Sequence, residues 1–283
     1  MLQEAEQILS TAERLVADLH SRDIVFPTCT EVSVRVLQAL NNPELHLEEA
    51  ERRFVAEPLL SAKLISLANS AALGSSRPIS DVKSALIRVG LNAARALAAA
   101  LVTRQLLEAA TLRQHQRLAR GMWEHTAYVS ALSHVIARRM SRLNPDQAMF
   151  AGLVHNIGQF YLISKAAQEP GLMEQPGLIQ HLLTNYQSTV TRALLETLSV
   201  PESIIDAAEN QDGIPDVPPQ SLRHVLQLAR AITPLRSPLD KDTVEEPSEE
   251  RAQALEALDI EAVTAVVAEA SDDLEGILRA LDA

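Results

Sequence analysis

The amino-acid sequence predicts an all-α protein. Apolar residues recur at helical spacing along most of it, while alternating or β-branched runs bounded by turns are scarce. Prolines, glycines and capping polar residues fall between the periodic segments rather than inside them. With 283 residues, 47% hydrophobic and 22% charged, the chain can bury one large core or two modest ones.

Leu2, Ile8, Leu9, Leu15, Val16 and Leu19 give a first helix. In the TCTE that follows Pro27, Thr28 can cap a second helix and Glu31 complete a capping box; that helix runs to about Leu40, where Asn42 and Pro43 break it. LEEAERRFVAE forms the next, and Pro58 opens another through LLSAKLISLANSA. Gly74 and Pro78 punctuate a loop. Asp81 caps a helix that Gly90 ends, and Asn92 starts an alanine-rich helix over Ala93 to Glu108. A longer helix covers Leu112 to Met140. Asn144, with Pro145 at the first helical position, begins a helix that carries MFAGLVHNIGQF at 149–160. QEPGLMEQPG is a loop, helices follow over about 178–185, 188–199 and 202–210, DGIPDVPP is a rigid loop, and SLRHVLQLARAI is helical again. Residues 237–250, SPLDKDTVEEPSEE, are acidic, proline-bearing and nearly devoid of apolar side chains, which marks a linker or exposed loop. Beyond it, Leu255, Leu258, Ile260, Val263, Val266, Val267, Leu274, Ile277, Leu278 and Leu281 are the apolar positions of short helices that should dock on the body.

A net charge of -12 and a pI near 5.1 disfavour nucleic acid as a partner, because counterion release needs a cationic face. Arg113, Arg117 and Arg120 share a helical face, read as a solvated stripe; a nucleic-acid regulator would need that face to be exposed and continuous with Arg138, Arg139 and Arg142. Cys29 is the only cysteine, so an internal disulfide and a multi-thiolate zinc site are excluded; it reads as a small buried hydrophobe rather than a reactive thiol. The amino terminus lacks the basic and apolar blocks of a signal peptide, and the longest apolar run, residues 96–102, is too short for a membrane span. A cytoplasmic protein with no membrane partner is the expectation. Nucleotide-cradling glycine motifs, a G-x-S-x-G elbow and H-E-x-x-H do not occur. What is left is His125 in WEHTAYVSALSHVIA, and His155 with Asn156 in AGLVHNIGQF. Two histidines on two helices are, in themselves, most often hydrogen-bonded core or surface groups.

The run FPTCTEVSVRVLQALNNPELHLEEAERRFVAEPLLSAKLI, then LANSAALG, RPISDVKSALIRVGL, MWEHTAYVSALSHVIARR, AGLVHNIGQFYLI and STVTRALLETLSVPESIIDAA, strongly resembles the HDOD family. These are bacterial signalling modules related to the HD-domain metal-dependent phosphohydrolases. The resemblance covers roughly residues 20–235 and implies the HDOD fold over 1–236: an amino-terminal helical part, about 1–110, packed on an HD-like part, about 111–236. The 237–250 linker and the docking helices of 251–283 would follow. Leu67, Ala68, Asn69, Ser70, Gly74, Arg77, Pro78, Ile79 and Gly90 carry family motifs and read as architectural, with Asn69 and Ser70 placed to satisfy backbone groups near a helix end.

Catalytic HD relatives hold metal with a histidine on one helix, an adjacent His-Asp pair on another, and further histidines or aspartates downstream. By that resemblance His125 and His155 match ligands, Asn156 replaces the aspartate, Gln187 stands where a histidine is frequent, and Gln211 and Asp212 fall where a His-His pair is common. Hard divalent ions around a nucleophilic water need anionic oxygens, and an amide is neutral. The expectation is therefore a degenerate site with no metal, no cofactor and no hydrolysis. His125, His155, Asn156 and Gln187 would form a hydrogen-bond network with Trp123 beside it. The function expected is a non-catalytic regulatory module that binds a signalling protein, a small regulatory ligand or a second copy of itself, with the groove between the two parts as the default ligand site. The rival is a divergent phosphohydrolase of nucleotides or cyclic dinucleotides built on His125, His155 and Asp212.

Overall fold

The computed structural model describes residues 31–282 except 71–77, 108–111, 113, 114, 170, 210, 212, 214 and 240–259, with the backbone alone at 31, 32, 260, 261 and 282. The helix before residue 27, Thr28, Cys29, the Glu31 side chain, Gly74, Arg77, Arg113, Asp212, residues 240–250, Leu255, Leu258 and the Ile260 side chain lie outside what is described.

Among the described residues there are helices and no strand. In chain order they are α1 (Glu31–Leu40), α2 (Leu47–Val55), α3 (Pro58–Ala68), α4 (Val82–Leu107), α5 (Gln116–Met140), α6 (Pro145–Val154), α7 (Ile157–Ala166), α8 (Pro176–Thr197), α9 (Glu202–Glu209), α10 (Leu222–Ile232), α11 (Ile260–Ala268) and α12 (Ser271–Asp282). Helices α1, α2 and α3 pack on α4; α4 in turn packs on α6 and α7, so this helix carries much of the contact between the amino-terminal part and the rest. Helices α5 and α6 form the tightest pair, α7 lies on α8, and α10 covers both α5 and α6. A single contiguous apolar core links them all.

Asp81 Oδ1 accepts from the Ser84 N–H at 2.8 Å, an N-cap that holds its carboxyl below the usual carboxylate range. Gly90 interrupts α4 with φ 81° and ψ 162°, a conformation that L side chains avoid, so the two expected helices meet at a kink. Helix α4 is long and apolar enough to cross a membrane by length and composition, yet 67% of that window is buried in the protein's own core. Asn144 Oδ1 accepts from the N–H groups of Asp146 and Gln147, with Pro145 at the first position of α6.

Three expectations need correction. The helix expected through MFAGLVHNIGQF is broken inside the motif: α6 stops at Val154 and α7 starts at Ile157, with Asn156 at φ -107° and ψ 12°. Conversely, 178–185 and 188–199 are one helix, α8, because nothing between them breaks the backbone and Ile179, Leu182, Leu183, Val190 and Leu194 bury a continuous stripe. Finally, Ser237 is fully buried, Leu239 packs on the core and Pro238 lies against Gly121, so the exposed linker cannot begin at 237.

Asn69 closes the loop that follows α3 with both ends of its amide: Nδ2 donates to the Ile79 carbonyl and Oδ1 accepts from the Ile79 N–H, each at 2.8 Å. Ser70 does not join in; its hydroxyl is enclosed without a hydrogen-bond partner among the described residues. Helix α12 packs on both α3 and α5. At its start Asp273 meets Arg138 and Arg139 at 3.6 and 3.4 Å, and at its end the Leu281 carbonyl accepts from the buried Lys63 Nζ at 2.9 Å. A cation beside the last carbonyls of a helix is favoured by the helix dipole.

Candidate functional site: a buried histidine pair

Two glycines set how closely the helices bearing the site approach. A Cβ on Gly152 would sit 2.5 Å from Ser130 Cα, so α6 can lie against α5 only without one; Ser130 Oγ then donates to the Met149 carbonyl at 3.0 Å. A Cβ on Gly158 would collide with the Thr191 hydroxyl and lie 2.7 Å from the Gln187 carbonyl, which fixes α7 on α8. This packing brings His125 of α5 and His155 at the end of α6 together, with ring centroids 5.6 Å apart and planes inclined by 53°. Both rings are buried.

Each imidazole is anchored through Nδ1 to a main-chain carbonyl: His125 to Leu235 and His155 to Gly152, both at 2.6 Å. A carbonyl only accepts, so each Nδ1 carries the hydrogen, and in a neutral ring Nε2 keeps its lone pair. The His155 Nε2 is enclosed with no hydrogen-bond partner among the described residues. Burial above all, and then the charges of His125 and Arg230, hold the His155 imidazole well below its usual pKa, whereas its bond to Gly152 pulls weakly the other way. His155 is therefore neutral at pH 7.

The other expected members take different partners. Gln187 Oε1 accepts from Gln159 Nε2 at 3.0 Å, and Gln211 Nε2 donates to the carbonyls of His155 and Ala208 at 2.5 and 2.7 Å. Gln211 thus satisfies the carbonyl released where α6 stops. Asn156 is buried at the head of α7 but its side chain does not cap that helix. Trp123 is buried with the Arg104 guanidinium 5.7 Å from its ring centroid. The expected single network is replaced by separate side-chain bonds, most of them to the backbone. The basic stripe is interrupted as well: Arg120 pairs with Glu124 at 2.7 Å, and Arg138 and Arg139 share Asp273.

Sequence reasoning missed Leu235, Gln159 and Arg230. A main-chain acceptor has no side-chain signature, so Leu235 left no signal. Arg230 did leave one: it stands four residues after the buried Leu226, on the same helical stripe.

Among the described residues no group of three or more His, Cys, Asp or Glu side chains is placed to hold a metal ion. Two imidazoles and neutral amides do not fit a two-metal hydrolytic centre, which needs anionic oxygen to balance and bridge its ions. The neutral His155 ring can accept a hydrogen bond or offer one nitrogen as a donor to a ligand.

Residues 26–214 match the HDOD domain. The chain belongs to the HDOD domain family. Solved structures share its fold: an HDOD domain protein of unknown function from Geobacter sulfurreducens is 23% identical with TM-score 0.61, covering 97% of this chain and 98% of that one. A protein described as a candidate metal-dependent phosphohydrolase, from Shewanella amazonensis SB2B, is 20% identical with TM-score 0.65, covering 99% and 100%. A candidate signal transduction protein from Marinobacter aquaeolei VT8 is 18% identical with TM-score 0.55, covering 96% of this chain and 66% of its own. Among curated proteins, an uncharacterized protein from Treponema pallidum is 22% identical over 226 residues, 75% of this chain. The chain spans about 42% of the length of that relative.

Proposed function

We propose that this HDOD protein is a non-catalytic regulatory module that acts by binding a signalling protein or a small regulatory ligand. The observation that carries the reading is Asn156 next to His155, a neutral amide where a charge-balancing carboxylate would be needed, beside two histidines whose Nδ1 atoms are committed to the backbone. Such a centre has too little negative charge to hold two divalent ions and acidify a water between them. The buried polar groups then serve the fold: they fix helix ends and helix contacts, and recognition belongs to the surface.

A second reading has one observation in its favour. The Nδ1 anchor to a main-chain carbonyl leaves Nε2 of the neutral His155 as a lone-pair nitrogen, which is the tautomer a metal-binding histidine adopts. In that reading the protein is a divergent phosphohydrolase of nucleotides or cyclic dinucleotides. The deciding experiment is metal analysis of the full chain after equilibrium dialysis against Mn2+, Fe2+ or Zn2+, with turnover of a phosphodiester measured in parallel. The regulatory reading expects neither stoichiometric metal nor turnover. Stoichiometric metal together with turnover abolished by His155→Ala would establish the hydrolase instead.

A further inference from the structure

The last helix of the chain sits across the seam between the amino-terminal part and the rest. Helix α12 packs on α3, which belongs to the first, and on α5, which belongs to the second. Leu274, Ile277 and Leu281 are buried there and Leu278 is partly buried, a spacing of i, i+3, i+4 and i+7 that forms one stripe. Asp272, Glu275 and Arg279 are exposed on the other face. Polar ties mark the two ends of the seat: Arg138 and Arg139 meet Asp273 at 3.6 and 3.4 Å, and the buried Lys63 donates to the Leu281 carbonyl at 2.9 Å. Those ties lie roughly 12 Å apart along the helix axis. The seat therefore offers a cation to an acidic first turn and another to the negative end of the helix dipole.

Helix α12 is weak in its own right. It has 12 residues with Gly276 near the middle, and a helix that short is marginal in water even without a glycine. Docking and folding of this segment are thus one equilibrium, set by the seat. We propose that the α3–α5 seat is an exchangeable helix-docking site: α12 fills it as an internal stand-in, and a signalling protein engages the molecule by laying there an amphipathic helix with an acidic first turn and the same apolar stripe. The inference rests on the binding-module reading above and names its surface and its partner. Recognition of this kind reads an i, i+3, i+4, i+7 face lodged in an apolar groove. Because α12 is covalently tethered, its effective concentration is high, and an outside helix binds with an affinity lowered by the fraction of seats that α12 occupies.

The test uses the full chain and, as probe, a fluorophore-labelled peptide of residues 269–283, followed by anisotropy. Wild type should bind the peptide weakly. Ile277→Asn places a polar group on the buried stripe of the resident helix and should bind the unaltered peptide at least tenfold more tightly. Adding Arg138→Glu and Arg139→Glu to that variant should abolish the gain, and a peptide that itself carries Ile277→Asn should bind neither chain. Melting curves establish that each variant is folded; if Ile277→Asn is not, Asp273→Arg replaces it with the same direction of effect. Absence of binding to both chains, equal binding to both, or a gain indifferent to Arg138 and Arg139 overturns the inference. Binding to the variant with none to wild type overturns it too, since α12 would then be a fixed part of the fold. These results leave the regulatory reading standing, because that reading falls only to stoichiometric metal with turnover.

Discussion

Replacing Gly152 by alanine tests the packing on which the histidine pair depends. The new Cβ would stand 2.5 Å from Ser130 Cα, 3.0 Å from its nitrogen and 3.2 Å from its Cβ. Carbon atoms rest at about 3.5–4.0 Å, so α5 and α6 must part by roughly 1 Å. The obstacle is helix backbone, which cannot swing aside as a side-chain tip would. Overpacking of this kind costs about 1–3 kcal/mol, and at roughly 2–4 °C per kcal/mol for a large domain the melting temperature should fall by several degrees. Gly177 is the control: a Cβ there meets nothing within 4 Å, and it lies in the first turn of α8. Gly177→Ala should be neutral or mildly stabilising, because alanine loses less backbone entropy than glycine. Urea unfolding and calorimetry of the two variants beside wild type give the comparison. If Gly152→Ala proves as stable as Gly177→Ala, the close approach of α5 and α6 does not constrain the fold and the account of the site built on it fails.

Three further outcomes follow from individual groups. His155 is neutral when folded, with a pKa well below 6.5, whereas in the unfolded chain it titrates normally, so the unfolded state gains a proton first as pH falls. Stability should therefore hold above about pH 6.5 and decline below it by up to ~1.4 kcal/mol per pH unit, and His155→Gln should remove that part of the slope in urea titrations at stepped pH. Asn69→Asp abolishes the donor to Ile79 and sets a carboxylate against that carbonyl. Unfolding free energy should drop by about 1–2 kcal/mol, and an unchanged value would mean that the clamp is dispensable. Ser199 adopts φ 56° just past α8, where its N–H bonds the Glu196 carbonyl. Glycine relieves that left-handed strain, so Ser199→Gly should raise the melting temperature slightly, and a fall would contradict it.

Several features could be read directly from the residues because their cause is local. Asp81 and Asn144 cap helices through their own side chains, Gly90 supplies a conformation other residues avoid, and the periodic apolar positions lie in the core. The HDOD resemblance assigned His125 and His155 to one degenerate site, a link that no spacing rule would have made across 30 residues of chain, and the structure brings their rings together in the core. Other features hid for physical reasons. The break at Asn156 sits in a stretch with no proline and with apolar residues on either side, and what stabilises it is Gln211, 56 residues from the His155 carbonyl it binds. The continuity of α8 was concealed by polar residues on the face it turns to solvent. The resemblance puts Gln187 and Gln211 at metal-site positions, yet each spends its amide on a neighbour that only the packed structure brings within reach.

The bond between Lys63 and the last turn of α12 bears on where this protein can be divided. The family match closes at residue 214, but an ammonium group near the front of the described chain finds its acceptor at residue 281. Expression of a fragment trimmed to the matched boundaries would strip that acceptor away and lay bare the apolar flanks of α3 and α5. Recombinant versions designed around the matched segment should therefore retain the distal helices, or they will yield a sticky, incompletely folded product whose silence in a binding assay would say nothing about the intact molecule.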